Sequence, residues 1–285
     1  MFEGVVLPRT REIMGAQMDL LIKNKETFVV QHGTYTTRIE KRFGKMVFSN
    51  VRFRNKVFVA ANMVKSDCLK SDRGPEILAT QHFKKNFANA DHFDSMYERK
   101  VLNIDIKGAY ANCLFNNELI CRKTYEYLTS LKKEERLPAV GMLARSHVKY
   151  FYHEGECTDV QPHRENTAEL FFFLIAEIDI IMREIRFILG KYFIFYWVDG
   201  VFFRHDTPKE LVKEVEDFLM ELNYRYSYEV CTDFQYQNVD GQCRILLNKS
   251  GEMKEWNFCD SNEEGRFIKA MLKAKSEGKI PKLPF

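Results

Sequence analysis

The sequence predicts an α+β fold, and three observations predict it. Strand-like and helix-like segments come in blocks (strands, helices, a hairpin, a helix, strands, a helix) and not in strict βα alternation. The strand-like blocks alternate apolar with polar residues and are punctuated by turn-formers. Aromatic residues are abundant, with 24 Phe and 13 Tyr in 285 residues, which favours sheet-rich packing, stacking surfaces or both.

From the N-terminus, residues 27–63 read as antiparallel strands: TFVVQHG, TYTTRIEKRF, KMVFSNVRF and KVFVAANM, broken at Gly33, Gly44 and Asn55. Pro75 to Phe87 has helical spacing, with a Pro suited to a first turn. Lys100–Ile106 (KVLNIDI) is a short apolar run ending beside a carboxylate, which reads as a buried strand. Residues 109–120 and 123–134 read as two helices, and Thr167–Leu189 as the longest one, capped by Asn166 or Thr167. Phe193–Phe203 (FIFYWVDGVFF) reads as a central hairpin with Asp199-Gly200 at its turn. Capping boxes at Thr207–Glu210 and Ser261–Glu264 start two later helices, and residues 225–258 between them read as strands. In the first of these helices Val212, Val215, Phe218, Leu219 and Leu222 share one face.

Composition narrows the function classes. A net charge of +3 rules out a polycation, so affinity for nucleic acid has to come from a local patch. One such patch is visible between positions 36 and 70: Arg38, Lys41, Arg42, Lys45, Arg52, Arg54, Lys56, Lys65 and Lys70 are opposed only by Glu40 and Asp67. Phe43, Phe48, Phe53 and Phe58 are interleaved with them. This pattern fits a solvated sheet face over a Phe core, a surface that tracks a phosphate backbone, or both. Seven cysteines with no CxxC pair predict reduced thiols in a cytoplasm, not a disulfide framework or a zinc ribbon. The seven histidines show no metal-ligand spacing. The N-terminal stretch has no long apolar core, so no signal peptide is expected. Leu170–Leu189 carries Glu177, Asp179, Arg183, Glu184 and Arg186, too many charges for a membrane span.

Two carboxylates stand out. Asp105 ends a buried strand and Asp199 sits at the tip of a hydrophobic hairpin. Taken singly, Asp105 serves as a helix cap and Asp199-Gly200 as a common hairpin turn. Taken together, two buried carboxylates on strands able to lie side by side point to a shared divalent cation, since a buried charge needs pairing or coordination. Hard Mg²⁺ selects carboxylate and phosphate oxygens. Two such ions about 4 Å apart activate a 3′-hydroxyl and stabilise leaving pyrophosphate, the chemistry of nucleotidyl transfer.

The residues around these carboxylates resemble the palm motifs of family B DNA polymerases over roughly residues 95–205. Asp105-Ile106-Lys107-Gly108-Ala109-Tyr110 resembles motif A (DxxSLYP), with Ala111 in place of Pro. Residues 191–202 (KYFIFYWVDGVF) resemble motif C (YxDTDS), with Asp199 on its second Asp, Gly200 on Ser and Trp197 in place of its first Asp. Residues 136–144 (RLPAVGMLA) resemble motif B (KxxxNSxYG) more loosely, with Arg136 on the Lys and Gly141 on the Ser of the Asn-Ser pair. An Arg keeps the charge and grips a phosphate bidentately.

The resemblance implies a template-directed DNA polymerase. Asp105 and Asp199, with the carbonyl of Ile106, would hold Mg²⁺, or Mn²⁺ in its place. Gly108, Tyr110, Arg136 and Gly141 would bind the nucleotide, Tyr110 flooring the sugar pocket against a 2′-hydroxyl. Lys249, Lys254, Arg52 and Arg54 would contact DNA. The implied layout is a basic β-rich region over residues 1–95, then a palm over 96–285 with short fingers at about 111–145 and a reduced thumb within about 206–285. The expected partners are primer–template DNA and dNTPs, with a terminal protein, a primase or another replication subunit, and no membrane. The setting would be a phage or other mobile element in a bacterial host cytoplasm. Two other readings stay open. A reverse transcriptase shares the Asp-to-aromatic spacing of motif A. A non-catalytic palm retained as a DNA-binding replication subunit would account for Trp197.

Overall fold

The computed structural model describes residues 8–33, 36–49, 55–80, 88–90, 95–164, 166–239 and 242–259. The chain runs α1 (Pro8–Lys23), β1 (Phe28–Gly33), β2 (Thr36–Lys41), β3 (Lys45–Ser49), α2 (Asn55–Lys70), α3 (Arg73–Ala79), β4 (Ala88–Ala90) and β5 (Ser95–Ile106). Three short helices follow, α4 (Ala109–Asn116), α5 (Arg122–Ser130) and α6 (Lys133–Gly141). Then come β6 (Ser146–His153), β7 (Glu156–Arg164), the long α7 (Ala168–Leu189), β8 (Phe193–Trp197) and β9 (Gly200–Arg204). Helix α8 (Lys209–Glu221) precedes β10 (Tyr226–Val239), β11 (Gln242–Lys249) and β12 (Glu252–Cys259). This is the expected α+β class, with antiparallel pairing throughout both sheets.

The chain forms two compact units, and the segments that build them are interleaved. Among the described residues the first unit joins those up to Ala61 with Leu137–Ala168, and the second takes Asn62–Arg136 with Glu169 onward. The crossings fall inside α2, inside α6 and after Ala168, where a single boundary near residue 95 was the expectation.

The first unit holds a five-stranded sheet in the order β3-β2-β1-β6-β7. Period-2 patterning sets its buried face: Phe28 and Val30 of β1 lie in register with Ile39 of β2 and with Tyr150 and Tyr152 of β6. Phe28 stacks on Tyr152 with ring centroids 4.5 Å apart. Helix α1 adds Met18 and Leu21 to this core. His32 is buried on the same face, its ring nitrogen 2.8 Å from the Thr37 hydroxyl, and burial pushes its pKa down to about 4, so the ring is neutral. The hairpin β6–β7 was not anticipated from the sequence.

The second unit holds a seven-stranded sheet in the order β12-β11-β10-β5-β9-β8-β4, with β5 and β9 near its middle. One face of β5 presents Leu102, Ile104 and Ile106, in register with Phe203 and Val201 of β9. Tyr196 of β8 shares that face and donates its hydroxyl to Asp179 of α7, so α7 backs the sheet there. Arg183, one turn along α7, pairs with the same Asp179 at 2.7 Å. The other face carries Val101, Asn103 and Asp105, beside Phe202 and Gly200 of β9. No helix among the described residues is long and apolar enough to cross a membrane.

Several local expectations are corrected. Residues 56–63 are not a strand but the first half of α2: Val57, Ala60, Ala61, Val64 and Cys68 are all buried, a 3–4 spacing that outweighs the short alternation within KVFVAANM. The two helices expected over 109–120 and 123–134 are present but end early, the first at Asn116 before Glu118 (φ 58°) and the second at Ser130, and Lys133 onward belongs to a third, α6. The β8–β9 turn is Val198-Asp199 and not Asp199-Gly200, because Trp197 already pairs with Gly200. Thr207 caps no helix; its hydroxyl donates to the Arg204 carbonyl at 2.5 Å, and Pro208 precedes α8 without a side-chain cap. Pro75 does lie in the first turn of α3, which ends at Ala79. Residues 81–87 and the Ser261–Glu264 capping box lie outside the described residues.

Candidate active site

Asp105 is the penultimate residue of β5, and its register partner on β9 is Gly200. Asp199 immediately precedes Gly200 in the two-residue turn, where Val198 takes a left-handed φ of 53°. The Ile106 amide donates to the Asp199 carbonyl at 2.8 Å, so the turn is tied to the end of β5 by its own backbone. Strand pairing and this one hydrogen bond bring together two aspartates that are 94 residues apart in the chain.

Gly200 leaves room for the Asp105 side chain. A Cβ at this position would stand 3.2 Å from Asp105 Oδ1 and 3.4 Å from Asn103 Nδ2. The carboxylate of Asp105 thus occupies space that a side chain on residue 200 would need.

The electrostatics follow from that crowding. Burial first, and then the negative charge of Asp105, push Asp199 up to about 6. Burial also raises Asp105, with a further push from Glu229, against the pull of Lys133, Lys249 and Lys107. Lys249 reaches from β11 across β10: its ammonium lies 3.0 Å from Glu229 Oε2 and 3.5 Å from Asn103 Oδ1. Burial lowers the Lys249 pKa, but the bond to Glu229 and the charges of Glu229 and Asp105 outweigh it, and the net shift is upward. Asn103 is itself fixed by donating to the Val201 carbonyl at 3.1 Å.

Gly108 and Tyr110 follow Asp105 directly in the chain, and Arg136 reaches Gly108. Gly108 precedes α4 in a left-handed conformation (φ 63°), which favours a glycine. The Arg136 guanidinium carbon lies 3.8 Å from where a Gly108 Cβ would be. Tyr110, in the first turn of α4, packs its ring 5.7 Å from that of Phe171. Its hydroxyl is pushed upward, first by burial and then by the charge of Asp199. Gly141 ends α6 and belongs to the first unit, not to the unit that carries the carboxylates. Lys254 pairs with Glu252 on β12. Ile106 is buried with its amide committed to the turn. Arg52 and Arg54 lie outside the described residues.

Trp197 stands on the Asp105 face, since Trp197, Gly200, Asp105 and Ser227 form one row across four strands. Its ring packs toward Phe195 (6.4 Å, 30°) and against the cluster that includes Val101, Phe202 and Phe234. Sequence reasoning missed Lys133, Asn103 and Glu229. Lys133 was visible as a second cation three residues before Arg136 on one helix face. Asn103 and Glu229 needed the strand register.

As a cation site, the pair offers hard oxygen donors whose mutual repulsion a divalent cation would relieve, which fits Mg²⁺ chemistry. Among the described residues there is no cluster of three or more His, Cys, Asp or Glu arranged to hold a metal. No protein-family model matches the chain, and no curated protein matches it in sequence.

Proposed function

We propose that the chain is a minimal template-directed DNA polymerase of the family B type, transferring a nucleotide from a dNTP to a primer 3′-hydroxyl at Asp105 and Asp199. The observation that carries this reading is that strand pairing and the Ile106–Asp199 backbone bond set the half-buried carboxylate residues Asp105 and Asp199 side by side, the first packed against Gly200. Asp105 and Asp199 would hold Mg²⁺ or Mn²⁺, which supplies charge neutralisation for the attacking oxygen and the leaving pyrophosphate. The residues of the chain itself have separate tasks. Arg136, at Gly108, would grip phosphate oxygens, and Lys133 would add positive charge from the same helix face. Tyr110 would close the floor of the sugar pocket. Lys249, tethered by Glu229 and Asn103, would hold a fixed positive charge beside the carboxylates instead of reaching freely for DNA.

Primer extension on a DNA template, in Mg²⁺ and then in Mn²⁺, tests this by comparing wild type with Asp199→Ala. Incorporation that is lost in the variant is the expected result. A second reading, a non-catalytic palm that binds DNA within a replication complex, is favoured by one observation. Trp197 stands in the carboxylate row where a further metal ligand would be expected. Primer–template binding without incorporation in either metal would overturn the catalytic reading and select this one.

A further inference from the structure

The turn that leads from Asp105 into α4 is held from outside by two side chains with no other assigned role. Asn112 is buried, and its Nδ2 donates to the Lys107 carbonyl at 2.6 Å, bracing the last residue before Gly108. The Tyr125 hydroxyl, on α5, donates to Asn112 Oδ1 at 2.7 Å. The bond to Lys107 fixes the amide's orientation, because a flipped Asn112 would set its oxygen against the Lys107 carbonyl with no donor between them, and it leaves Oδ1 to accept from Tyr125. Asn112 Nδ2 also lies 3.8 Å from the position of a Gly108 Cβ, the same distance as the Arg136 guanidinium carbon. The Tyr125 ring is stacked 4.5 Å from Phe115, and Arg122 lies over that same Phe115, so the donor is itself anchored.

We propose that Tyr125 and Asn112 form a positioning relay that sets sugar discrimination at Tyr110. The relay fixes the Lys107–Gly108 turn, which starts the helix whose first turn carries Tyr110 two residues later. A sugar pocket that rejects a 2′-hydroxyl by contact depends on where its floor stands, so a turn free to shift by a fraction of an ångström loses selectivity before it loses chemistry. The relay acts through Tyr110 and touches no substrate itself. This inference rests on the polymerase reading.

The test is the ratio of kcat/KM for a dNTP to that for the matching rNTP, measured on a primed DNA template. Tyr125→Phe removes the hydroxyl and keeps the stacked ring. It is expected to lower the ratio about five-fold, the scale of one lost hydrogen bond, with most of the change in KM. Asn112→Ser is expected to shift the ratio the same way. Thr129→Val is the control for a merely structural effect: it loosens α5 by removing the hydroxyl that bonds the Tyr125 and Glu126 carbonyls, and should lower the melting temperature without moving the ratio. Adding Tyr125→Phe to Tyr110→Ala should cost no further discrimination, since the relay works through Tyr110. An unchanged ratio in Tyr125→Phe, or an equal change in Thr129→Val, overturns the relay while leaving the polymerase reading standing. A wild-type chain that incorporates neither nucleotide takes down that reading and the relay with it.

Discussion

At the scale of single residues, Asp199 and Gly200 make opposite demands. Asp199 is half-buried and held near a like charge, so its folded-state pKa, about 6, stands above its ordinary value of 3.8. Between those values the folded chain keeps a proton that the unfolded chain has released. The contribution of this group to stability is therefore present at low pH and is lost as the pH rises through about 6. Asp199→Asn should consequently be more stable than the metal-free wild type at neutral pH, by roughly 2–3 kcal/mol, with the difference closing toward pH 4. Thermal melts of both proteins across this range check it, and a difference that ignores pH would refute the assignment. Mg²⁺ should raise the wild-type melting temperature and leave that of Asp199→Asn nearly unmoved. Gly200→Ala tests the neighbouring demand. Its new methyl would press on Asp105 Oδ1, so single-turnover incorporation should fall about a hundredfold, as for a misplaced reacting group, while the melting temperature changes little. Asp105 and Asp199 were legible because each is a charge set in an apolar strand context. The Glu229–Lys249–Asn103 contacts were not, because they join three strands whose register no local pattern encodes.

At the scale of elements, the carboxylate turn is held in place by its neighbours at a local cost. Val198 is β-branched and adopts a positive φ, an unfavourable conformation for that side chain. Asn tolerates this region, so Val198→Asn should stabilise the chain by about 1 kcal/mol in urea denaturation. A destabilised variant would mean that the Val198 side chain contributes packing that outweighs the strain. Behind the hairpin, the Tyr196–Asp179–Arg183 contacts tie β8 to α7. Tyr196→Phe removes the buried donor to a carboxylate and should cost about 1–3 kcal/mol in the same denaturation experiment. Helix α2 shows why elements are harder to read than residues. Val57 and Val59 suggest period 2 over a few positions, but the apolar spacing continues to Cys68 with a helical period, and only the longer window separates the two. The long helix α7 and the β8–β9 hairpin were legible because each is unbroken and strongly patterned.

At the scale of the whole molecule, the sheet class was legible but the partition was not. β1 pairs with β6 (Phe28 with Tyr152), a contact across more than a hundred residues that no hydrophobic pattern announces. Charge is the other global property, and here the numbers constrain function directly. The chain carries 43 Lys and Arg against 40 Asp and Glu. Arg38, Lys41, Arg204, Arg244, Lys249 and Lys254 each pair with a carboxylate. On the proposed reading, attraction to DNA comes from a few local cations: Lys107 and Lys133 act on Asp105, and Arg136 stands at Gly108. Neutralising about three duplex phosphates gives a slope of log affinity against log salt near −3, and Lys133→Gln should flatten it by about one. Anisotropy titrations of labelled primer–template at several salt concentrations measure both. A slope steeper than about −8 requires many more phosphate contacts than this cluster holds, and would assign the larger share of DNA binding to the basic, Phe-interleaved stretch between residues 36 and 70. Under the proposed function the template would then be bound mainly through contacts made elsewhere in the chain, and charge substitutions at Lys133 would leave the slope unchanged.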